Sequence, residues 1–495
     1  MSKQHSSKAI ELECTLTELA AISSRASAQI RPEKKKCYAQ YFTERAVAKQ
    51  MARMLPLDKG VVLGDHGAGT GILSATVIAH VLSALDNSED PFILQAYEID
   101  EDLYSAFNES IDVISRYAEE LMQPKPGVNL KGDFTEIAET LLSGKGRGVL
   151  DAAILNPPYK KLGQKTQLAQ LMREKLAPMP NIYTVFMALT IIMLKPGGQM
   201  VAIVPRSFCN GSYFKKFRVW MKTQGSFDWF VRYKERSNIF RGDNVLQENI
   251  TFRFTRGVSQ RAGIRVSLCD SPEHAPLFES IIPATDIFPE YTDMILVPTD
   301  QGELEALHFM RSLPYTTENL GLQITTGKFE DFRMRKLLHQ EPPAVDWAPV
   351  IYSQHWQRGD NDFSWQASIQ GKPSCLVISG DSRKKLLPRG NYVLIKRISA
   401  NDDRSGRCHP IALLEDNSMP GNWLAIDNHI QVISGIEGRP LRPQEAIALA
   451  NYLSWPHIDP VLRVVSGTTQ LNKADLLQLR YSYLFAERAE GQIIK

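Results

Sequence analysis

The sequence predicts a doubly wound α/β domain with a mostly parallel seven-stranded sheet, followed by an α+β domain. Three observations carry this reading. From about residue 60, short apolar runs alternate with amphipathic stretches, which implies right-handed βαβ crossovers. Two later runs follow one another with no helix between them, as on the antiparallel edge of a mixed sheet. Near residue 256 the alternation ends, and short strands, turns and scattered prolines take over.

In chain order, the strands are expected at GVVL (60 to 63), FILQAYEI (92 to 99), VNL (128 to 130), GVLDAAIL (148 to 155) and QMVAIV (199 to 204). They are rich in apolar and β-branched residues and bounded by Gly, Pro or charge. Between them, residues 72 to 85, 101 to 121 and 181 to 194 carry apolar residues at helical spacing. DWFVRY (228 to 233) and QENITFRF (247 to 254) would form the antiparallel edge. The polar break FTRGVSQRAG suggests a boundary, so the expected parts are an N-terminal extension (1–37), a catalytic domain (38–256) and a second domain (257–495).

Composition narrows the function. At 495 residues the chain is longer than one hydrophobic core usually serves. Lys plus Arg number 57 against 55 for Asp plus Glu, so any nucleic-acid surface must come from local clustering. The six cysteines form no CxxC pair, which argues against a zinc site and for a reducing compartment. The N-terminus lacks the apolar core of a signal peptide, and no apolar run approaches a membrane span. A cytoplasmic protein with no metal and no membrane partner is expected.

The chemistry is concentrated at the expected strand ends. VVLGDHGAGTGIL (61 to 73) places Gly67, Gly69 and Gly71 between a strand and a helix, where the backbone can pass close to a ligand and free N–H groups are available. No Lys follows, so this is not a P-loop, and Ile72 occupies the last Gly position of a dinucleotide fingerprint. Taken alone, the cluster equally describes a tight turn without a ligand; Asp65 adds a carboxylate to it. Glu98 ends the second strand, where an acid can accept both hydroxyls of a ribose. Asp133 and Phe134 follow the third, an acceptor for an exocyclic amine beside an apolar plate. Each has a bland reading as surface charge or core, but in this order they describe a nucleoside-shaped pocket.

The fourth strand runs into LNPPY. Pro157 and Pro158 give no N–H to a sheet, so the strand must stop at a stiff corner. The Asn156 side-chain carbonyl and the Pro157 backbone carbonyl can both accept from one NH₂ group. That pulls a planar amine toward tetrahedral geometry and frees its lone pair, while Tyr159 can stack on the ring that bears it.

DHGAGTG, YEID, GDF and LNPPY, in this order and spacing, resemble S-adenosylmethionine-dependent methyltransferases, specifically the DNA amino-methyltransferases of type II restriction-modification systems. YFTERAVAKQMARML (41 to 55) looks like the motif that the gamma arrangement of this family places before the glycine turn. The resemblance covers residues 38 to 255. It implies that Thr43, Asp65, Gly67, Gly69, Gly71, Glu98, Ile99, Asp133, Phe134 and Asn156 hold S-adenosylmethionine. It further implies that Asn156, Pro157, Pro158 and Tyr159 form the catalytic corner. Phe240, in SNIFRGDNVLQENITFRF, would pack with Tyr159 on the target base. Asn at position 156 favours adenine N6 over cytosine N4. His66 is given no role.

The C-terminal half resembles the family's target-recognition domain more loosely, through ITTGKFEDFRMRKLL, YVLIKRIS, DNHIQVI and SGTTQLNKADLLQL. Lys384, Lys385, Arg389, Lys396, Arg397, Arg404 and Arg407 form a basic run, and with Arg333 they are the candidate DNA contacts. Any one of them is more often a solvated charge than a contact. The resemblance implies a monomer acting on double-stranded DNA by flipping the base, beside a separate cognate endonuclease. Competing readings are methylation of cytosine N4, of a glutamine side chain or of an RNA base, and a non-catalytic DNA-binding subunit.

Overall fold

The computed structural model describes residues 3–482, apart from 39, 41, 58, 86–89, 235–247, 273, 361–362, 366–368, 370, 400–405 and 416–418, together with residue 485. The chain divides into two compact units, Met1–Thr299 and Asp300–Lys495.

Unit 1 opens with helices α1 (Lys3–Gln29), α2 (Pro32–Tyr38) and α3 (Arg45–Arg53). Its strands are β1 (Val62–His66), β2 (Ile93–Tyr97), β3 (Gly127–Lys131), β4 (Leu150–Leu155), β5 (Leu194–Pro205), β6 (Gly225–Tyr233), β7 (Asn249–Arg256), β8 (Gly263–Cys269) and β9 (Phe278–Pro283). Helices α4 (Ile72–Ala84), α5 (Tyr104–Glu120), α6 (Ala138–Leu142), α7 (Gln167–Lys175) and α8 (Ile182–Met193) lie between the first five strands. The sheet order is β3-β2-β1-β4-β5-β7-β6-β8-β9. β1 to β5 pair in parallel, β7 runs antiparallel to both β5 and β6, and β8 is parallel to β6.

The last two strands, β8 and β9, correct two expectations. The sheet has nine strands among the described residues rather than seven, and the first unit ends at Thr299 rather than near residue 256. The polar stretch after β7 is a connection within the sheet. Beyond it, Ile264, Val266, Cys269 and Ile282 are buried, and β8 hydrogen-bonds to both β6 and β9. The described residues before position 38 are likewise no separate extension. Leu16, Leu19 and Ile22, one face of α1, belong to the same core as α4 and α5, and Arg25–Glu109 and Arg116–Glu18 ion pairs tie α1 to α5.

The core explains why α4 is apolar almost all round: it is buried along nearly its whole length. Its start is fixed by Gly71, whose φ of 76° is open to Gly and strained for other residues. Parallel pairing then places the carboxyl ends of β1 to β4 on one edge of the sheet, with His66 opposite Tyr97 and Tyr97 opposite Lys131.

Among its described residues, unit 2 holds a two-stranded pairing of 315–316 with 480–481 and two larger sheets. One is four-stranded, in the order 322–326, 430–435, 392–396 and 410–413; the other is five-stranded, with 347–351 and 423–426 at its centre. Helices Gln301–Ser312, Pro443–Leu453 and Ile458–Val465 complete an α+β arrangement. Arg407 lies inside it, fully buried, bonded to the Ser399 and Thr468 carbonyls and to Ser466 Oγ.

A fragment ending at Thr299 is expected to melt cooperatively, whereas one ending at Arg256 should be aggregated or molten. The shorter piece loses nine buried apolar side chains, among them Ile264, Val266, Ile282, Ile287, Leu296 and Val297, at about 1.5–3 kcal/mol for each aliphatic one, and bares the edge of β6. Circular dichroism melts and gel filtration of the two fragments check this.

Candidate active site

The four strand ends converge on a cavity of about 280 Å³. Gly67, Ala68, Gly69 and Thr70 form one wall, with φ of 84° at Gly67 and 56° at Gly69. A Cβ at Gly69 would meet nothing within 4 Å, so it is the backbone angle, not crowding, that calls for glycine there. The N–H groups of Gly67 and Ala68 both donate to the Tyr97 carbonyl, at 2.8 and 2.9 Å, which folds the turn onto the end of β2.

Glu98 locks that turn from the other side. Its Oε2 accepts from Gly69 N and its Oε1 from Asp100 N, each at 2.8 Å. Burial holds its carboxyl above the ordinary range, offset in part by these backbone bonds. Both oxygens retain lone pairs for hydroxyl donors. Ile99 beside it lines the cavity and is half exposed. Asp133 also lines the cavity; its Oδ1 accepts from Thr135 N and Oγ1, at 2.8 and 2.9 Å, so both bonds fall on one oxygen.

Phe134, on the cavity wall, is held from behind by a residue the sequence left without a role. The His66 ring stacks on it with centroids 3.9 Å apart and 15° between planes. His66 Nδ1 lies 2.7 Å from Thr190 Oγ1. Complete burial pushes the imidazole down to a pKa of about 3, so it is neutral and serves as a flat support. No spacing rule marks such a residue; only the fold brings 66 and 134 together.

Asn156 and Pro158 also line the cavity. Asn156 Nδ2 donates to Thr43 Oγ1 at 3.0 Å, which fixes the amide and leaves its carbonyl oxygen as the accepting end. Pro157 is buried and absent from the cavity wall. The Tyr159 ring packs edge-on against Tyr183, and its hydroxyl donates to the Ile203 carbonyl at 3.2 Å. One side of the cavity is formed by Cys37, Tyr38, Gln40, Phe42 and Thr43. It is tied down by Lys34 to Asp100 at 2.6 Å, Gln40 to Asp100 at 2.9 Å and Lys160 to the Cys37 carbonyl at 3.1 Å.

Two expected cofactor residues sit elsewhere. Asp65 lies fully buried beneath the glycine turn, where Oδ2 accepts from Ser74 N at 3.3 Å; it holds the head of α4 and does not line the cavity. Gly71 caps α4 with the Phe107 ring against it. Phe240 lies outside the described residues.

The described members of the basic run of unit 2 differ in their burial and partners. Arg407 is excluded from a DNA surface by its burial, which corrects the expectation for it. Arg404 lies outside the described residues. Arg389 donates to the Glu415 and Gly421 carbonyls as a loop brace. Lys384 is exposed and Lys385 half-buried after the turn Gly380–Arg383. Lys396 lies over Trp356, and Arg397 donates to the Asn428 carbonyl at 3.1 Å. Arg333 is exposed and paired with Glu330 at 2.5 Å.

Burial pushes the Asp65 carboxyl up to a pKa of about 7, against an ordinary value near 4. The folded protein thus binds more protons than the unfolded chain between about pH 4 and 7, so this group's contribution to stability falls across that window and levels off above it. Asp65→Asn removes the penalty. The ligand-free variant is expected to be more stable than the parent by on the order of 4 kcal/mol above pH 7, with a smaller gap at pH 5. Urea unfolding at pH 5, 7 and 8.5 measures it.

Residues 79–240 match the model of the Eco57I restriction-modification methylase family. The type II methyltransferase M.PstI of Providencia stuartii is 32% identical over 448 residues, spanning 89% of this chain and 86% of that protein. M.BsuBI of Bacillus subtilis is 28% identical over 460 residues, spanning 89% and 87%. Among solved structures, the DrdV–DNA complex is similar at 12% identity and a TM-score of 0.48, over 95% of this chain and 58% of that one. S-adenosylmethionine is the cofactor of this chemistry, and the cavity fits it: a glycine turn, the Glu98 carboxylate, the second oxygen of Asp133 and the Phe134 plate suit a nucleoside. With its likeness to M.PstI running through nine-tenths of its length, the chain belongs to the type II methyltransferases of restriction-modification systems.

Proposed function

We propose that this protein methylates the N6 amine of a flipped adenine in a specific double-stranded DNA sequence. The observation that carries the reading is the Asn156 amide, fixed by Thr43 on the wall of the same cavity that Gly69, Glu98 and Asp133 line. The cofactor supplies an electrophilic methyl group when bound. Glu98 accepts the ribose hydroxyls, Asp133 the adenine amine of the cofactor, and Ile99 and Phe134 enclose its ring. The Asn156 Oδ1 and the Pro157 backbone carbonyl accept hydrogen bonds from the two N–H groups of the target amine, which keeps its lone pair directed at the methyl group until a proton leaves. Tyr159 supplies the stacking face for the base.

Flipping costs a few kcal/mol of lost pairing and stacking, and phosphate and groove contacts by Asp300–Lys495 offset it. Arg333, Lys384, Lys385, Lys396 and Arg397 are the contacts we favour. The enzyme acts as a monomer, in the compartment of the host DNA, and protects that DNA from a separate cognate endonuclease. Among the described residues, no helix is long and apolar enough to cross a membrane, and no group of three or more His, Cys, Asp or Glu could hold a metal.

Incubation with labelled S-adenosylmethionine and duplex DNA, followed by nucleoside chromatography, tests the reading: label in N6-methyladenine is expected. Label in N4-methylcytosine would move the target to the other amine, and label in RNA or protein would refute a DNA substrate. Asn156→Ala should lower methyl transfer by ~10²-fold or more and leave duplex affinity within a few-fold; loss of both would place Asn156 in folding. Tyr159→Phe keeps the ring and gives up one neutral hydrogen bond, about 1 kcal/mol of stability, so it should retain most activity. Tyr159→Ala should lose it. Equal rates for the two in single-turnover assays would remove the stacking role.

A further inference from the structure

Unit 2 holds a polar arrangement that methyl transfer does not use. Asp427, Asn428 and His429 form the turn between strands 423–426 and 430–435. The Asp427 side chain, 6% exposed, has Oδ2 2.9 Å from His429 Nδ1, while the His429 side chain is 48% exposed. Burying a carboxylate is costly, and a half-exposed imidazole is a weak partner with which to offset that cost. The pair is better suited to orientation. With Nδ1–H donated to Asp427, the lone pair sits on Nε2, on the far side of the ring.

The turn is rigidly held. Asp427 N donates to the Ile351 carbonyl at 3.0 Å, Asn428 N to Phe329 at 2.9 Å, and Ile430 N back to Asp427 at 3.1 Å. Gly327 backs directly against it: a Cβ there would come within 2.1 Å of the Asp427 carbonyl oxygen. Pairing of Thr326 with Gln431 and of Lys396 with Ile430 brings three strand ends together. His429, Arg397 and the turn bearing Phe332 therefore leave the four-stranded sheet at one end. Arg397 N donates to the His429 carbonyl at 2.8 Å, and Phe332 is 59% exposed with the Arg333 guanidinium 5.3 Å from its ring.

We propose that His429 is a sequence-reading residue of this face, its Nε2 accepting from the exocyclic amine of an adenine or a cytosine in the major groove. Those two amines are the donors that bases present there. The proposal rests on the DNA-methyltransferase reading above.

The target site is first mapped by methylating plasmid DNA with the full chain and sequencing the modified positions. Methylation rates are then measured on duplexes bearing the site and each single base-pair change. In His429→Ala the preference at one position should fall roughly tenfold or more, with the others intact. His429→Phe keeps a ring but no acceptor and should lose the same preference, so it carries the test if the alanine variant does not melt cooperatively. Asp427→Asn should fall between. Unchanged preference at every position overturns the proposal. So does uniform weakening on all sequences with a smaller salt slope, the signature of a phosphate contact. If the parent protein methylates no duplex, the DNA reading itself falls; if it does and His429→Ala discriminates normally, only this proposal falls.

Discussion

Parallel, in-register pairing of β1 to β4 is the constraint on which the site depends. It sets the ends of four strands on one edge, so that residues from positions 67, 98, 133 and 156 meet with no local sequence signal joining them. Side chains alternate along a strand, so a slip of one residue in any of these ladders would exchange cavity for core. The buried faces oppose such a slip: Leu63, Leu94, Ala152 and Ile154 are all fully inaccessible.

Beneath the cavity lies a layer whose polar groups are held away from water. His66 is neutral and half-satisfied by Thr190, with Nε2 buried and unpartnered among the described residues; Asp65 likewise keeps Oδ1 without a partner. Such groups cost stability. In return the ring of His66 fixes the plane of Phe134, and the carboxylate of Asp65 fixes the first turn of α4. The result is a cavity wall set before ligand arrives, which lowers the entropy lost on binding.

Seven of the nine strands, β1 to β7, were legible in the sequence because most of them are short apolar runs, and the order of the motifs was legible because they sit at the ends of β1 to β4. What was illegible depended on three-dimensional neighbours. TRGVSQRAG reads as a boundary, yet the strands beyond it rejoin the sheet, a choice set by the exposed edge of β6. Arg407 reads as part of a basic run, yet its guanidinium is consumed by carbonyls and Ser466. Asp65 reads as a ligand residue because it adjoins the glycines; the strand's alternation sends it under them. The role of His66 becomes visible only once residue 134 is stacked on it.

The stretch from Pro32 to Thr43 shows how the two halves of the cavity are coupled. At one end Lys34 and Gln40 bind Asp100, whose backbone N–H donates to Glu98; at the other Thr43 receives the amide of Asn156. The carboxylate that grips the glycine turn and the amide at the stiff corner are thus joined through one short segment of chain. Asp100 is 1% exposed, so its pairing with Lys34 is screened by water far less than a surface ion pair is. A displacement of this segment would therefore disturb the nucleoside end and the catalytic amide together, and neither end can be reshaped without consequence for the other.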